Sequence, residues 1–80
     1  MVKLYALSTC PYCRMTRKFL DDEGVEYEEV EVDKLEGAER EDAVEEVRRV
    51  SGGTSFPVVV AGEEVIVGFD KARIKKTLGI

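Results

Sequence analysis

Histidine is absent from this 80-residue sequence, and cysteine occurs only twice. Without histidine the chain lacks the usual partner of a catalytic cysteine, so a Cys–His pair is excluded. A zinc site needs about four ligands, which two cysteines without histidine can supply only together with a second chain. We therefore predict no metal site within the chain.

Long apolar runs and a surplus of positive charge are also missing. Lys and Arg number 12 against 17 Asp and Glu, a net charge of −5, whereas nucleic-acid binding demands a basic face. No stretch approaches the roughly 20 apolar residues of a membrane span, and no secretory-signal pattern precedes the first apolar stretch. We expect a cytoplasmic protein that binds neither nucleic acid nor membrane.

The length and composition predict one small domain. Of the 80 residues 44% are hydrophobic, which is adequate for a single core. We expect one domain over residues 1–80 that is monomeric and folds without a metal or a structural disulfide.

Both cysteines belong to one tetrapeptide, Cys10-Pro11-Tyr12-Cys13, which follows an apolar stretch over residues 2–7 and precedes a helical pattern. A C-x-x-C motif between a strand and a helix is typical of thiol–disulfide redox proteins. Two cysteines in one motif also indicate catalytic use in a reducing compartment. A disulfide across so short a loop would constrain little of the unfolded chain, so a purely structural role has little value.

Pro11 suits the first position of the helix, which places Cys10 at the N-cap. Free amide N–H groups and the positive end of the helix dipole favour a thiolate there, and the thiolate is the species that attacks disulfides. We predict a Cys10 pKa within roughly 3.5–7.5, the range of such settings. Cys13 lies one helical turn later, more covered and within reach of Cys10. Cys10 is therefore the predicted nucleophile and Cys13 the predicted resolving thiol.

Activation of Cys10 must come from groups other than histidine. The predicted contributors are the helix start at Pro11, backbone donors, Thr9, Tyr12 and Arg14. Two roles stay open for Tyr12, whose ring either stacks against a substrate or fills the turn.

The remaining patterns predict the element order β-α-β-α-β-β-α. Strands are predicted over residues 2–7, 25–32, 57–61 and 65–67, and helices over 11–23, 37–50 and from Asp70 onward. The alternation slips within the second strand, which predicts a bulge or a late strand start. A loop is predicted over residues 51–55.

Helical spacing also predicts side-chain positions. The predicted core positions on the helices are Met15, Phe19, Val44, Val47, Ile74 and Leu78. The predicted i,i+4 ion pairs on the second helix are Glu36/Arg40 and Glu45/Arg49.

Four features together resemble the glutaredoxin family. They are this element order, C-P-Y-C at the start of the first helix, T-S-F-P over residues 54–57, and G-F-D over residues 68–70. The resemblance covers essentially the whole chain and implies an α/β, thioredoxin-like fold with a four-stranded mixed sheet of order 2-1-3-4 flanked by three helices. It also implies a cis peptide bond between Phe56 and Pro57, opposite Cys10. The backbone of Phe56 would then pair with a cysteinyl substrate as a short antiparallel strand.

The resemblance further implies a glutathione site. Gly68, Phe69 and Asp70 would receive its γ-glutamyl end at the start of the last helix, with Asp70 taking the ammonium group. Many members carry a lysine where this chain has Leu7. Members often carry an arginine about where Val50 or Gly53 stands, and Arg48 and Arg49 are the nearby cations here.

Two further differences concern the reductant. Val67 replaces the second glycine of the family pattern, and Phe69 replaces its small residue. The Phe69 form is found in relatives that serve ribonucleotide reductase and are recharged by a flavin-dependent, thioredoxin-type reductase. Glutathione and such a reductase are both retained as predicted electron sources.

We predict a dithiol oxidoreductase that reduces protein disulfides or glutathione mixed disulfides through a mixed disulfide, and that carries no tightly bound cofactor. Such a protein would take part in electron transport and cell redox homeostasis, and would donate electrons to ribonucleotide reductase if it follows the Phe69 relatives. The alternative is an iron–sulfur carrier, in which Cys10 of two chains and two glutathione thiols hold a [2Fe–2S] cluster. Pro11 stiffens the motif and Cys13 competes for Cys10, which disfavours the cluster.

Overall fold

The computed structural model describes residues 2–53 and 55–80, and its centre is a four-stranded mixed sheet. The strands are β1 Val2–Ala6, β2 Tyr27–Glu31, β3 Val58–Ala61 and β4 Glu64–Val67, in the order β2-β1-β3-β4. Strand β1 runs parallel to β2 and antiparallel to β3, and β4 runs antiparallel to β3. The helices are α1 Pro11–Asp22, α2 Gly37–Ser51 and α3 Lys71–Leu78, with a short 3₁₀ turn at Val32–Lys34. The architecture predicted from the resemblance is confirmed.

The sheet separates two hydrophobic clusters, because successive side chains of a strand point to opposite faces. Leu4 and Ala6 of β1 face α1 and α3, whereas Tyr5 between them faces α2. The buried members of the first cluster are Leu4, Ala6, Cys13, Phe19, Leu20, Val59, Ile66 and Ile74. The buried members of the second are Tyr5, Val32, Ala43, Val47 and Val58. One cysteine of the motif is therefore part of the core.

The structure shifts several predicted boundaries by a few residues. Strand β1 ends at Ala6 and β3 begins at Val58, one residue after a proline that has no N–H for the ladder. The slipped alternation in the second strand reflects a late start at Tyr27. Strand β4 begins one residue early, at Glu64, which pairs with Ala61 across the hairpin.

Helix α2 continues through Ser51, which was predicted to belong to the following loop. The Ser51 hydroxyl donates to the carbonyl oxygen of Val47 at 2.6 Å and so remains compatible with the last turn. The helix then ends at Gly52, whose φ of 77° is left-handed and whose N–H donates to the Arg48 carbonyl. Thr54, also in the predicted loop and in the T-S-F-P motif, lies outside the described residues.

The prediction that Met15 is a core residue is wrong. Its side chain is 47% exposed, because the buried stripe of α1 is formed by Cys13, Thr16, Phe19 and Leu20. Thr16 tolerates full burial since its hydroxyl donates to the Tyr12 carbonyl at 2.8 Å.

The ion pairs on α2 differ from those predicted. Arg48 pairs with Glu45 at 3.1 Å and Arg49 pairs with Glu46, both at i,i+3 spacing. Glu36 is the extended N-cap residue, outside the helical geometry that i,i+4 pairing needs. Among the described residues it forms no ion pair with Arg40. These exposed pairs contribute little to stability.

No helix in the described part of the chain has the length and apolar character needed to cross a bilayer.

Adjacent residues of β4 provide a test of the core assignment. Ile66 is fully buried in the first cluster, whereas Val67 on the opposite face is 45% exposed. We expect Ile66→Ala to lower the free energy of unfolding by about 2–5 kcal/mol, through lost burial and a residual cavity. The control Val67→Ala should change it by no more than about 0.5 kcal/mol. Urea denaturation measures both, and equal losses would contradict the assignment.

Candidate functional site

Three segments meet at one edge of the sheet. Tyr5 near the end of β1 pairs with Val58 at the start of β3, and Val58 pairs with Val67 at the end of β4. The loop after β1, the segment before β3 and the segment after β4 therefore leave the sheet side by side. These segments carry Cys10, Phe56-Pro57 and Gly68-Phe69-Asp70, respectively.

The C-P-Y-C motif has the local structure predicted from the sequence. Pro11 is the first residue of α1, and Cys10 is its extended N-cap with φ −83° and ψ 121°. The carbonyl of Cys10 accepts the N–H of Arg14 at 3.1 Å, which is the first hydrogen bond of the helix. The N–H of Cys10 donates back to the Leu7 carbonyl at 3.2 Å and closes the preceding turn.

Cys10 is partly exposed, and the pKa of its thiol is lowered from the ordinary cysteine value. Burial acts first and raises the pKa. Hydrogen bonding from the Cys13 thiol, and from the backbone amides of Cys13 and Tyr12, more than offsets it. Within the described residues no amide reaches the geometry of a full N-cap bond to this sulfur, so the amides act at longer range.

Thr9 and Arg14 are both exposed, and neither is among the described groups that shift the Cys10 pKa. The roles predicted for them in activation stay predictions. Of the predicted activating groups, the helix start at Pro11 does act on Cys10, because the amides of Tyr12 and Cys13 in its first turn lower the Cys10 pKa.

Cys13 has the opposite environment. Its side chain has no exposed surface and packs in the first cluster, and its pKa is raised to about 11. Burial is the main cause, the hydrogen bond and charge of Cys10 add to it, and the Leu7 N–H opposes it by donating to Cys13 Sγ at 3.5 Å. The motif thus holds one ionisable, accessible sulfur next to one buried, protonated sulfur.

Two polar contacts that support the motif were missed by the sequence analysis. Asp33 accepts the Ser8 N–H at 2.9 Å and the Ser8 hydroxyl at 2.5 Å, which attaches the loop before Cys10 to the 3₁₀ turn. Arg17 of α1 pairs with Glu29 of β2, with Nε donating to Oε2 at 2.7 Å. Each contact joins residues distant in sequence, so no local pattern indicates it.

The predicted substrate-binding residues border the motif. Tyr12 is 61% exposed next to Cys10. Its stacking against a substrate stays a prediction. The Phe56–Pro57 peptide is cis, as predicted. Pro57 is buried, and its carbonyl accepts the Gly68 N–H at 2.8 Å. Phe56 packs against both hydrophobic clusters.

The other predicted glutathione residues have structural contacts as well. Phe69 packs edge-on against Phe19 with ring centroids 6.2 Å apart. Asp70 caps α3 by accepting the Arg73 N–H at 3.1 Å. Gly68 has a φ of 84°, which L-residues with side chains rarely adopt. Binding of glutathione by these residues stays a prediction.

Neither position at which many members of the family carry a cation has one in this chain. Leu7 is partly buried against the second cluster, and Arg48 and Arg49 are engaged with glutamates on α2. Among the described residues there is no group of three or more metal-ligating side chains.

Comparison with known proteins connects this geometry to one family. The family model described as Glutaredoxin matches residues 2–66. A glutaredoxin-like 8.6 kDa protein from the rubredoxin operon of Clostridium pasteurianum is 33% identical over 78 residues, which are 98% of this chain and 97% of that protein. The similarity thus runs through the motif, the sheet and α3.

Solved structures show the same relationship. Glutaredoxin grx-1 from Archaeoglobus fulgidus superposes with a TM-score of 0.93 at 44% identity, covering 96% of this chain and 84% of that one. NrdH-redoxin from Escherichia coli, described as a glutaredoxin-like protein with a thioredoxin-like activity profile, superposes with a TM-score of 0.78 at 27% identity, covering 94% and 91%.

The contrast between the two thiols predicts distinct alkylation profiles. In the wild-type protein, the alkylation rate of Cys10 should reach half its maximum below the pH at which free cysteine does, because the Cys13 thiol and the amides of Tyr12 and Cys13 lower its pKa and yield thiolate at lower pH. In Cys10→Ser, the half-maximum for Cys13 should lie well above that of free cysteine, because burial disfavours its thiolate. Iodoacetamide rates followed by mass spectrometry test this, and overlapping profiles would refute the assigned roles.

Proposed function

Because this chain belongs to the glutaredoxin family, we propose that it is a dithiol oxidoreductase that reduces protein disulfides or mixed disulfides with glutathione. Membership makes it a small redox protein of the thioredoxin fold. The observation that supports the specific reaction is the contrast between Cys10, accessible with a lowered pKa, and Cys13, buried with a raised one. Cysteines confined to one motif suit a reducing cytoplasm.

In the first step the Cys10 thiolate attacks one sulfur of the substrate disulfide. A bond forms between Cys10 Sγ and that sulfur, and the other substrate sulfur leaves as a thiolate. The Cys13 thiol, which stabilises the Cys10 thiolate by hydrogen bonding, stays protonated during this attack.

In the second step Cys13 gives up its proton and attacks Cys10 Sγ as a thiolate, and the remaining substrate sulfur leaves as a thiolate. The two substrate sulfurs take up the Cys13 proton and one proton from water. The substrate gains two electrons and two protons in total, and the enzyme becomes the Cys10–Cys13 disulfide. Two causes of the raised Cys13 pKa, the hydrogen bond and the charge of Cys10, disappear once Cys10 is in the mixed disulfide. The Leu7 N–H, 3.5 Å from Cys13 Sγ, then stabilises the developing thiolate. Reaction of Cys10 thus removes two of the contributions that keep Cys13 protonated, while burial, the largest one, remains.

The electron source is either glutathione or a flavin-dependent reductase. The reductase is supported by Phe69 and by the likeness to NrdH-redoxin, a protein described as having a thioredoxin-like activity profile. Glutathione is supported by the family itself and by the partly buried Gly68 and Phe69 beside the motif. Turnover with glutathione and its reductase, compared with turnover by a thioredoxin-type reductase, separates the two.

The iron–sulfur carrier and the delivery of electrons to ribonucleotide reductase stay predictions from the resemblance. An absorption spectrum of the protein as purified tests the carrier, because a reduced dithiol protein is colourless and a [2Fe–2S] protein is not.

Serine variants of the two cysteines separate the two steps. Cys10→Ser should abolish all exchange, because the one other thiol of the chain, that of Cys13, is buried. Cys13→Ser should keep deglutathionylation, which needs Cys10 alone, but accumulate a mixed disulfide with protein substrates. Mass spectrometry detects this adduct. Retained activity in Cys10→Ser, or full dithiol turnover in Cys13→Ser, would contradict the mechanism.

The exchange Leu7→Lys should improve glutathione turnover by supplying the cation that many family members carry there. An exposed ion pair contributes roughly 0.2–1 kcal/mol, so KM for glutathione should fall by up to about fivefold. The backbone donor to Cys13 is retained in this variant. Leu7→Gln, of comparable size without charge, is the control and should not lower KM. Equal KM values in the two variants would count against a charge effect.

A further inference from the structure

The exposed side of α1 carries a groove of which only the two ends, Pro11 and Phe69, have a role in the proposed reaction. Two adjoining depressions, of about 370 and 310 Å³, share Met15 and Lys18. We call them together the α1–α3 groove, lined by Pro11, Arg14, Met15, Lys18, Phe19, Asp22, Phe69 and Lys71. Pro11 directly follows Cys10 in the chain, so the groove begins next to the nucleophile and runs toward α3.

The floor of the groove is apolar and accessible. Met15 is one of four large hydrophobic residues exposed in the described part of the chain, and its helix does not need it for the core. Phe69 meets Phe19 edge-on there, with an interplanar angle of 70°. Exposed apolar surface rimmed by polar groups marks interaction sites, and a flexible Met adapts to different partners.

The rim of the groove is positive although the protein is acidic. The chain has a net charge of −5, yet Arg14, Lys18 and Lys71 line the groove against a single carboxylate, Asp22. Lys18 Nζ lies 3.1 Å from Asp22 Oδ2, and Lys71 Nζ lies 5.5 Å from the centroid of the Phe19 ring. Lys71 is thus held over the apolar floor, and the groove presents excess positive charge.

We infer that the α1–α3 groove docks the segment flanking the reactive cysteine of a protein substrate, and that this segment carries apolar and acidic residues. The inference rests on the proposed function, since a substrate sulfur joined to Cys10 places its neighbouring residues at Pro11. Apolar side chains contact Met15 and Phe69, and carboxylates meet the cations of the rim. Complementary charge of this kind raises association rates and selects partners.

Three disulfides of stated chemistry test the docking. The first is a peptide with one cysteine flanked by Leu, Asp and Glu, joined to mercaptoethanol. The second peptide has Lys in place of Asp and Glu, and the third compound is hydroxyethyl disulfide, which has no flank.

The readout is the rate for each peptide divided by the rate for hydroxyethyl disulfide. With the reduced protein, the acidic peptide should react on the order of tenfold faster than the basic one at low salt. The difference should shrink in 1 M salt, where the Debye length is about 3 Å.

Three variants of this chain test whether the preference for the acidic peptide arises in the α1–α3 groove. Lys71→Glu should abolish the preference, because the groove then carries two cations and two carboxylates. The ratio to the hydroxyethyl disulfide rate corrects for any loss of folded protein. Met15→Asp should lower the relative rates of both peptides through lost apolar contact. Lys76→Glu is the matched control, because it makes the same charge change on α3 outside the groove. It should keep the wild-type preference.

The outcomes distinguish this inference from the proposed function. Equal relative rates for the two peptides, with hydroxyethyl disulfide still reduced, would overturn the docking and leave the redox activity intact. Equal loss of the preference in Lys71→Glu and Lys76→Glu would show that the preference comes from the overall charge of the protein. That result would also overturn the docking. Failure of the wild type to reduce hydroxyethyl disulfide would overturn both.

Discussion

The chemistry of this protein depends on two sulfurs, one helical turn apart, that lie in opposite environments. Cys10 stands outside the first turn of α1, where amide dipoles and a thiol donor act on it. Cys13 lies inside the first hydrophobic cluster, where burial raises its pKa to about 11. One interaction between them, the thiol of Cys13 with the sulfur of Cys10, lowers the first pKa and raises the second. In the mechanism that we propose, this interaction favours attack by Cys10 first and by Cys13 second.

The rest of the fold maintains this arrangement. The cluster around Leu20 and Ile74 holds α1 against the sheet and seals Cys13 from water. Ser8 and Asp33 attach the loop before Cys10 to the 3₁₀ turn after β2, and Arg17 attaches the helix to β2 itself. The carboxylates of Asp33 and Glu29 thus accept hydrogen bonds that join distant parts of the fold, in addition to making the chain acidic.

Partner choice is a separate property, which is set by the surface around the motif and not by the fold. Leu7 replaces a cation that many relatives carry, and Val67 and Phe69 make the opposite border more apolar. The α1–α3 groove adds a positive, apolar surface on the side of Pro11. In the function that we propose, these differences leave the dithiol mechanism unchanged and act on the choice of reductant and substrate.

Local patterns in the sequence were enough to predict most of the fold and the centre of the site. The strand order of the sheet followed from the resemblance to the glutaredoxin family. Pro11 directly behind a cysteine indicated the N-cap, Asp70 indicated a cap that the structure confirms, and periodicity indicated the order of the elements. These features depend on backbone preferences and periodicity, which act over a few residues. The exposure of Met15 and the pairing of Ser8 with Asp33 depend on how distant elements pack. Only the tertiary structure decided them, because burial and long-range hydrogen bonds are properties of neighbours in space that helical spacing cannot specify.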